Sequence, residues 1–278
     1  MEYQQMAMMS YTLALGKWGQ SNDIVKLCQL TRKFGLEAID WVTTYGVPPE
    51  KVKKICDDFG LKTICYTFFV DINFPEKKDR QPGIDKIKEG IETALVLGTD
   101  KIMLPLTGKD GLTRQESRKN CIEGLKEAVL IAEKSGITVT VEHFPMKSAP
   151  FIVSADVNEA IKEVPQLRVT YDSGNVLTGG ENPVDGYLNS KDYVVHVHFK
   201  DFIYDDAVES NFQGADGRYY KPALIGEGLL DYPAIIKAMV DNNYKGYINF
   251  EYEGKTYTPE DAMEKGLKYL KHLFETIK

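Results

Sequence analysis

No G-x-G-x-x-G or P-loop fingerprint, no C-x-x-C pair and no apolar run of membrane-spanning length occurs in this chain. The missing glycine fingerprint argues against a doubly wound nucleotide-binding sheet. Cys28, Cys56, Cys65 and Cys121 are scattered, which opposes a disulfide framework or a zinc knuckle and reads as reduced, buried thiols of a cytoplasmic protein. A membrane helix needs roughly 18 consecutive apolar residues, and the opening MEYQQMAMMS lacks the basic and apolar segments of a signal peptide. The expectation is therefore a protein that neither spans a membrane nor carries an export address. Positive charge is also short: 34 Lys and Arg against 41 Asp and Glu leave a net charge of −7. That balance opposes nucleic acid or an anionic membrane surface as a partner.

What is present is a soluble composition, 43% hydrophobic and 27% charged, with a repeating alternation of strand-like and helix-like segments. YTLALG (11–16) reads as the first strand, followed by a helix over SNDIVKLCQLTRKFG with Ser21 as N-cap and Gly35 as its stop. EAIDWV, KTICYTFF and KIMLPL read as the next strands, then TVTVEHF, LRVTYDSGN, YVVHVHFKD and GYINFEYEG, each followed by a helical pattern. Strand-then-helix units over about 250 residues, without a linker between them, are the sequence form of a (β/α)8 TIM barrel. Residues 1–278 are predicted to form one such domain. Two connections exceed the usual few residues, about 71–82 after the third strand and about 201–231 after the seventh. Both are expected on the strand C-terminal face, where barrel enzymes carry their active sites, as walls or lids.

Side-chain parity separates the late strands from the early ones. In an extended strand, alternate residues share a face, so His196, His198 and Lys200 share one face while Val195, Val197 and Phe199 share the other. The same split gives Thr140 and Glu142 on the fifth strand, Thr170 and Asp172 on the sixth, and Asn249 and Glu251 on the eighth. The apolar sets suit the helix layer, and the polar sets point into the barrel. Glu142, Asp172, His198 and Glu251 thus end their strands on the inward face as metal-competent residues, with Thr140, Thr170, His196 and Asn249 one layer deeper. Three carboxylates converging on a partly buried mouth would repel one another unless a cation offset them. A divalent metal is the simplest offset; oxygen ligands plus one imidazole suit manganese, with magnesium, cobalt or zinc as alternatives.

The motifs TVTVEHF, VTYDSGN, HVHFKD, LIGEG and INFEYEG, in this order and spacing, resemble those of the sugar phosphate isomerase/epimerase family with the xylose isomerase-like barrel. The resemblance implies that Glu142, Asp172, His198 and Glu251 bind one divalent metal, and that Glu142 and Glu251 double as the acid/base pair. It matches Asn175 to a substrate-touching position, while His196 reads as support for the shell or a substrate contact. Ketose 3-epimerases carry an arginine shortly after the metal histidine; HFKDFIY has none, and Lys200 instead matches an H-x-K-D form in which the lysine faces the pocket. Lys200 either binds a substrate oxygen or pairs with a carboxylate such as Asp201 or Glu227. His143 is assigned to packing, Glu227 to loop geometry and His272 to the surface, while Tyr11, Phe68 and Phe69 are candidates to line the pocket.

The implied chemistry is proton transfer beside a carbonyl through an enediolate on a keto-sugar, cyclitol or related polyol, giving isomerisation or epimerisation. Loss of a β-hydroxyl from the same intermediate would make an inosose-type dehydratase. Two other readings are an apurinic-endonuclease-like repair enzyme, which four histidines and an acidic balance oppose, and a catalytically silent sugar-binding barrel. The resemblance further implies a homo-oligomer.

Overall fold

A computed structural model describes residues 5–14, 23–208 and 212–277. Its central element is a closed parallel barrel in the order β1-β11-β7-β6-β5-β4-β3-β2. The barrel strands are β1 (Met6–Met9), β2 (Ala38–Val42), β3 (Lys62–Thr67), β4 (Lys101–Leu104), β5 (Thr138–Glu142), β6 (Arg168–Asp172), β7 (Val194–Phe199) and β11 (Ile248–Phe250). The helices are α1 (Ser10–Ala14), α2 (Ile24–Lys33), α3 (Pro49–Asp58), α4 (Lys77–Leu97), α5 (Arg114–Glu133), α6 (Ser154–Glu163), α7 (Ser173–Thr178), α8 (Pro183–Ser190), α9 (Tyr232–Asp241) and α10 (Pro259–Thr276). The predicted (β/α)8 barrel is therefore the fold.

Three expectations are corrected. The first strand is not YTLALG: β1 is the apolar run Met6–Met9, and Ser10–Ala14 is already helical. A parallel strand buried on both faces reads as a continuous apolar run rather than an alternation, and the Ser10 hydroxyl accepts the Val42 N–H at 2.8 Å where β1 ends beside β2. Ser21 and the end of YTLALG lie outside the described residues, and the N-cap of α2 is Asp23, which accepts the Lys26 N–H at 3.0 Å. The connection after β3 is shorter than expected, because α4 starts at Lys77 and carries Pro82 within it. Arg80 ties that start down by donating to the Phe74 and Pro75 carbonyls at 2.9 and 2.8 Å. Gly35, at φ +74°, stops α2 as expected.

The described residues of the long segment after β7 include a three-stranded antiparallel sheet of β8 (Asp201–Tyr204), β9 (Phe212–Gln213) and β10 (Tyr219–Ala223), in the order β8-β10-β9. Asp201 ties it back to the strand end, accepting the N–H groups of Gly226, Gly228 and Leu230 at 3.0, 3.1 and 3.3 Å. A side chain at Gly228 would meet the Asp201 carboxylate at 2.0 Å, so LIGEG needs its glycine there. Glu227 instead accepts from the Tyr257 hydroxyl at the surface, at 3.0 Å.

The hydrophobic core lies between barrel and helices. Val139, Val141, Val169, Tyr171, Val197, Phe199, Ile248 and Phe250 are buried there, the outward parity expected of them. Phe68 belongs to this layer rather than to a pocket: its ring presses on α4 where Gly90 leaves room, and a Cβ at Gly90 would lie 2.0 Å from it. Gly90→Ala gains up to about 1 kcal/mol of helix propensity, but overpacking costs about 1–3 kcal/mol. The expected outcome is a net loss of about 1–2 kcal/mol in urea unfolding, reduced when Phe68→Leu is added; an unchanged or raised midpoint would show that the α4–β3 packing is looser than described.

Candidate metal and active site

The inward ends of four neighbouring strands meet at the barrel mouth. Registers pair Glu142 with Thr170, Thr170 with His196, Asp172 with His198, and Asn249 with His198, so strand stagger sets the side chains in two polar layers. In the lower layer the Thr140 and Thr170 hydroxyls bond each other at 2.8 Å, and Asn249 donates to the Val197 carbonyl at 3.1 Å. In the upper layer Glu142, Asp172, His198 and Glu251 are all buried. Ala7, Ala38 and Ile64 form a separate apolar cluster with Tyr247.

The four predicted ligands come together. His198 Nδ1 lies 3.3 Å from Glu251 Oε2 and 4.0 Å from Glu142 Oε2. Glu142, Asp172 and His198 each offer one atom, all within 4.8 Å of one another. Asp172 is split between two tasks: its Oδ1 caps α7 by accepting the Asn175 N–H at 2.9 Å, whereas its Oδ2 has no hydrogen-bond partner. His198 Nδ1 and Glu251 Oε2 are likewise buried without one. Buried acceptors are normally satisfied, and a nitrogen with carboxylate oxygens converging unsatisfied is a donor set that fits a divalent cation.

The electrostatics agree. Burial pushes the Glu142 carboxyl up to about 8, with Asp172 and Glu251 adding repulsion against the pull of His198 and Lys200. Burial raises Asp172 as well. Burial would also raise Glu251, but Lys200 and His198 outweigh it and hold that carboxylate below its usual range. Lys200 contacts Glu251 at 2.7 Å, Glu253 at 3.2 Å and Asp172 at 3.7 Å. Its partners are thus these three carboxylates, not Asp201 or Glu227.

The other sequence candidates divide. Asn175 is buried, its amide donating to the His143 carbonyl at 2.7 Å and its oxygen 3.5 Å from Lys200 Nζ. His196 sits in the lower layer, with Nε2 2.7 Å from Asp40 Oδ2. His143 is buried edge-on to Tyr171, and burial pulls its pKa down to about 3, as packing requires. His272 is exposed. Tyr11 is close enough to feel the charges of Glu253, Glu251 and Lys200, whereas Phe69 is half exposed.

Two residues escaped the sequence reading. Glu253 continues the inward parity of Glu251 one step further toward solvent. Asp40 is fully buried on β2, where the apolar frame of EAIDWV hid a lone inward carboxylate. Burial would raise Asp40, but the bonds from His196 and His198 hold it well below the usual carboxylate range. Asp40, His196 and His198 also form a group of metal-ligating type, but their contacts at 2.7 and 3.0 Å are hydrogen bonds that satisfy it. The open set is the upper one.

A parallel eight-stranded barrel with a carboxylate and imidazole cluster at the C-terminal ends of its late strands defines the class of this protein. Residues 28–273 match the family described as xylose isomerase-like TIM barrel, and the chain belongs to that family. It is 26% identical over 166 residues to an inosose dehydratase of Clostridium perfringens, a match covering 56% of this chain and 55% of that one. Two solved structures share the fold. One, described as the IOLI protein with a bound zinc atom, has a TM-score of 0.79 and 17% identity and covers 99% of both chains. The other, an L-ribulose 3-epimerase, has a TM-score of 0.79 and 13% identity, with 99% of this chain and 95% of that one covered. No helix among the described residues is long and apolar enough to cross a membrane.

Cation binding is expected to release protons. In the folded, cation-free protein Glu142 and Asp172 hold protons at pH values where free carboxyls are ionised, so a cation must displace them. Affinity should therefore rise as pH rises through about 8. Titration calorimetry in buffers of different ionisation enthalpy should show the release, with about one ion per chain by mass spectrometry, lost in His198→Ala and largely kept in His196→Ala. Equal loss from both variants, or a pH-independent affinity, would contradict this assignment.

Proposed function

We propose that this protein is a divalent-metal-dependent enzyme that moves a proton at a carbon beside a carbonyl on a small polyhydroxylated ketone, as a sugar isomerase or epimerase. The observation that carries the reading is the buried, unsatisfied convergence of His198 Nδ1, Asp172 Oδ2 and Glu251 Oε2, with Glu142 beside them. These four residues would hold the cation, manganese being our assignment. When bound, the cation supplies Lewis-acid polarisation of adjacent substrate oxygens.

The chain's own groups do the proton transfer. β5 and β11 flank the β6–β7 pair in the barrel order, so Glu142 and Glu251 approach the mouth from different sides, as removal and return of a proton require. Lys200 is the substrate-facing donor for an oxygen that gains negative charge, with Asn175 beside it and His196 supporting from below. Because Glu251 and Glu253 already balance the Lys200 ammonium, an uncharged, hydroxyl-rich substrate suits this site better than a phosphorylated one. The buried thiols of Cys28, Cys56, Cys65 and Cys121, none of them in a disulfide, support a reducing, cytoplasmic setting.

The match to inosose dehydratases favours one second reading, in which the same proton abstraction is followed by loss of a β-hydroxyl. Incubation of the metal-loaded protein with free ketoses and a keto-cyclitol in D2O, followed by NMR, separates the two. Deuterium beside the carbonyl in an epimer or isomer supports the first, and an unsaturated product the second. Glu142→Gln and Glu251→Gln should each lower exchange by at least about 100-fold; exchange retained in either variant would remove that glutamate from the acid/base role.

A further inference from the structure

Asp40 lies on β2, separated from β7 by β1 and β11 in the barrel order, and it reaches across the lumen. One of its oxygens, Oδ2, meets both His196 Nε2 at 2.7 Å and His198 Nε2 at 3.0 Å. The Thr67 hydroxyl approaches the other oxygen at 3.4 Å. The two imidazoles stand edge to face, 5.0 Å apart and 74° between planes, and neither can rotate without breaking its bond to Asp40. A carboxylate can only accept, so His198 Nε2 must carry the hydrogen of its contact, while His196 Nε2 lies between Asp40 Oδ2 and the Asn249 amide nitrogen, 3.1 Å away. The nitrogen left over on His198 is Nδ1, which faces Glu251 and Glu142.

We propose that Asp40 is a positioning residue that fixes the ring and tautomer of His198, so that Nδ1 is presented to the carboxylate cluster. His196, bound to the same oxygen, holds Asp40 in place from the layer below. This inference rests on the reading of the upper cluster as a metal site. A carboxylate behind a ligating imidazole both orients the ring and makes its free nitrogen a better donor. The closed lower cluster is then the support of the open upper one rather than a second cation site.

The test uses the whole protein, labelled with 15N in histidine. In the wild type, the proton on His198 Nε2 is expected to be shifted downfield and slow to exchange, with or without Zn2+. In the Zn2+-loaded protein Nδ1 should carry the metal-shifted resonance. In Asp40→Asn the downfield proton should disappear and the affinity for Mn2+ and Zn2+ should fall by about 10–100-fold, with the circular dichroism of the fold retained. A folded Asp40→Asn with wild-type affinity and an unchanged His198 tautomer would overturn the inference while leaving the metal site intact. If Asp40→Asn does not fold, the wild type still decides, because a His198 that binds Zn2+ through Nε2 contradicts the proposal. A wild type that binds no cation would instead overturn the functional reading, and its Nε2 proton would still report whether Asp40 holds the ring.

Discussion

Charge buried away from water is the constraint around which the upper half of this barrel is organised. Asp40, Glu142, Asp172, Glu251, His198 and Lys200 are all buried within one mouth, with Glu253 at its edge. Moving an ion from water into such a site costs several kcal/mol unless a partner or a cation compensates it. The compensation here is divided in space. Lys200 answers Glu251, Glu253 and, at 3.7 Å, Asp172 Oδ2, the two histidines answer Asp40, and Glu142, 4.0 Å from His198 Nδ1, is left for something else. That remainder is what gives the site its chemical direction.

The rest of the chain can be understood as what holds this arrangement in place. The outward faces of the same strands are packed with Val, Tyr and Phe against the helices, so the inward faces have no freedom to turn. The Asp172 carboxylate both caps α7 and faces the cluster, which fixes its angle through the backbone. One residue past the Lys200 position, Asp201 gathers backbone N–H groups from the returning loop, so the small sheet after β7 is anchored to the same strand end that carries His198.

Much of the site was legible because strand parity is local. TVTVE, VTYD, HVHFK and INFE each announce which residues point inward without reference to any other segment, and those residues do meet. Asp40 was not legible, since a single inward carboxylate in an apolar strand carries no pattern until the histidines that face it are known. Glu253 lay beyond the strand proper, where parity weakens. The carboxylates offered as possible partners of Lys200, Asp201 and Glu227, lie along its own loop, whereas Glu251 and Glu253 at the end of β11 lie closer in space. The first strand failed for another reason: a run buried on both faces shows no alternation to find.

The sequence by itself determined the alternation of strands and helices, the inward and outward sets of each late strand, and the motifs that assign the chain to its family. These follow from periodicities of two and 3.6 residues that the local backbone imposes. Only the tertiary structure decided which inward residues face one another across the lumen, which of the two metal-type clusters is already closed by hydrogen bonds, and which oxygen of Asp172 lacks a hydrogen bond. Those choices depend on barrel closure and strand stagger, which place Asp40 against His198 although 158 positions separate them in the chain. No property of either segment alone encodes that meeting.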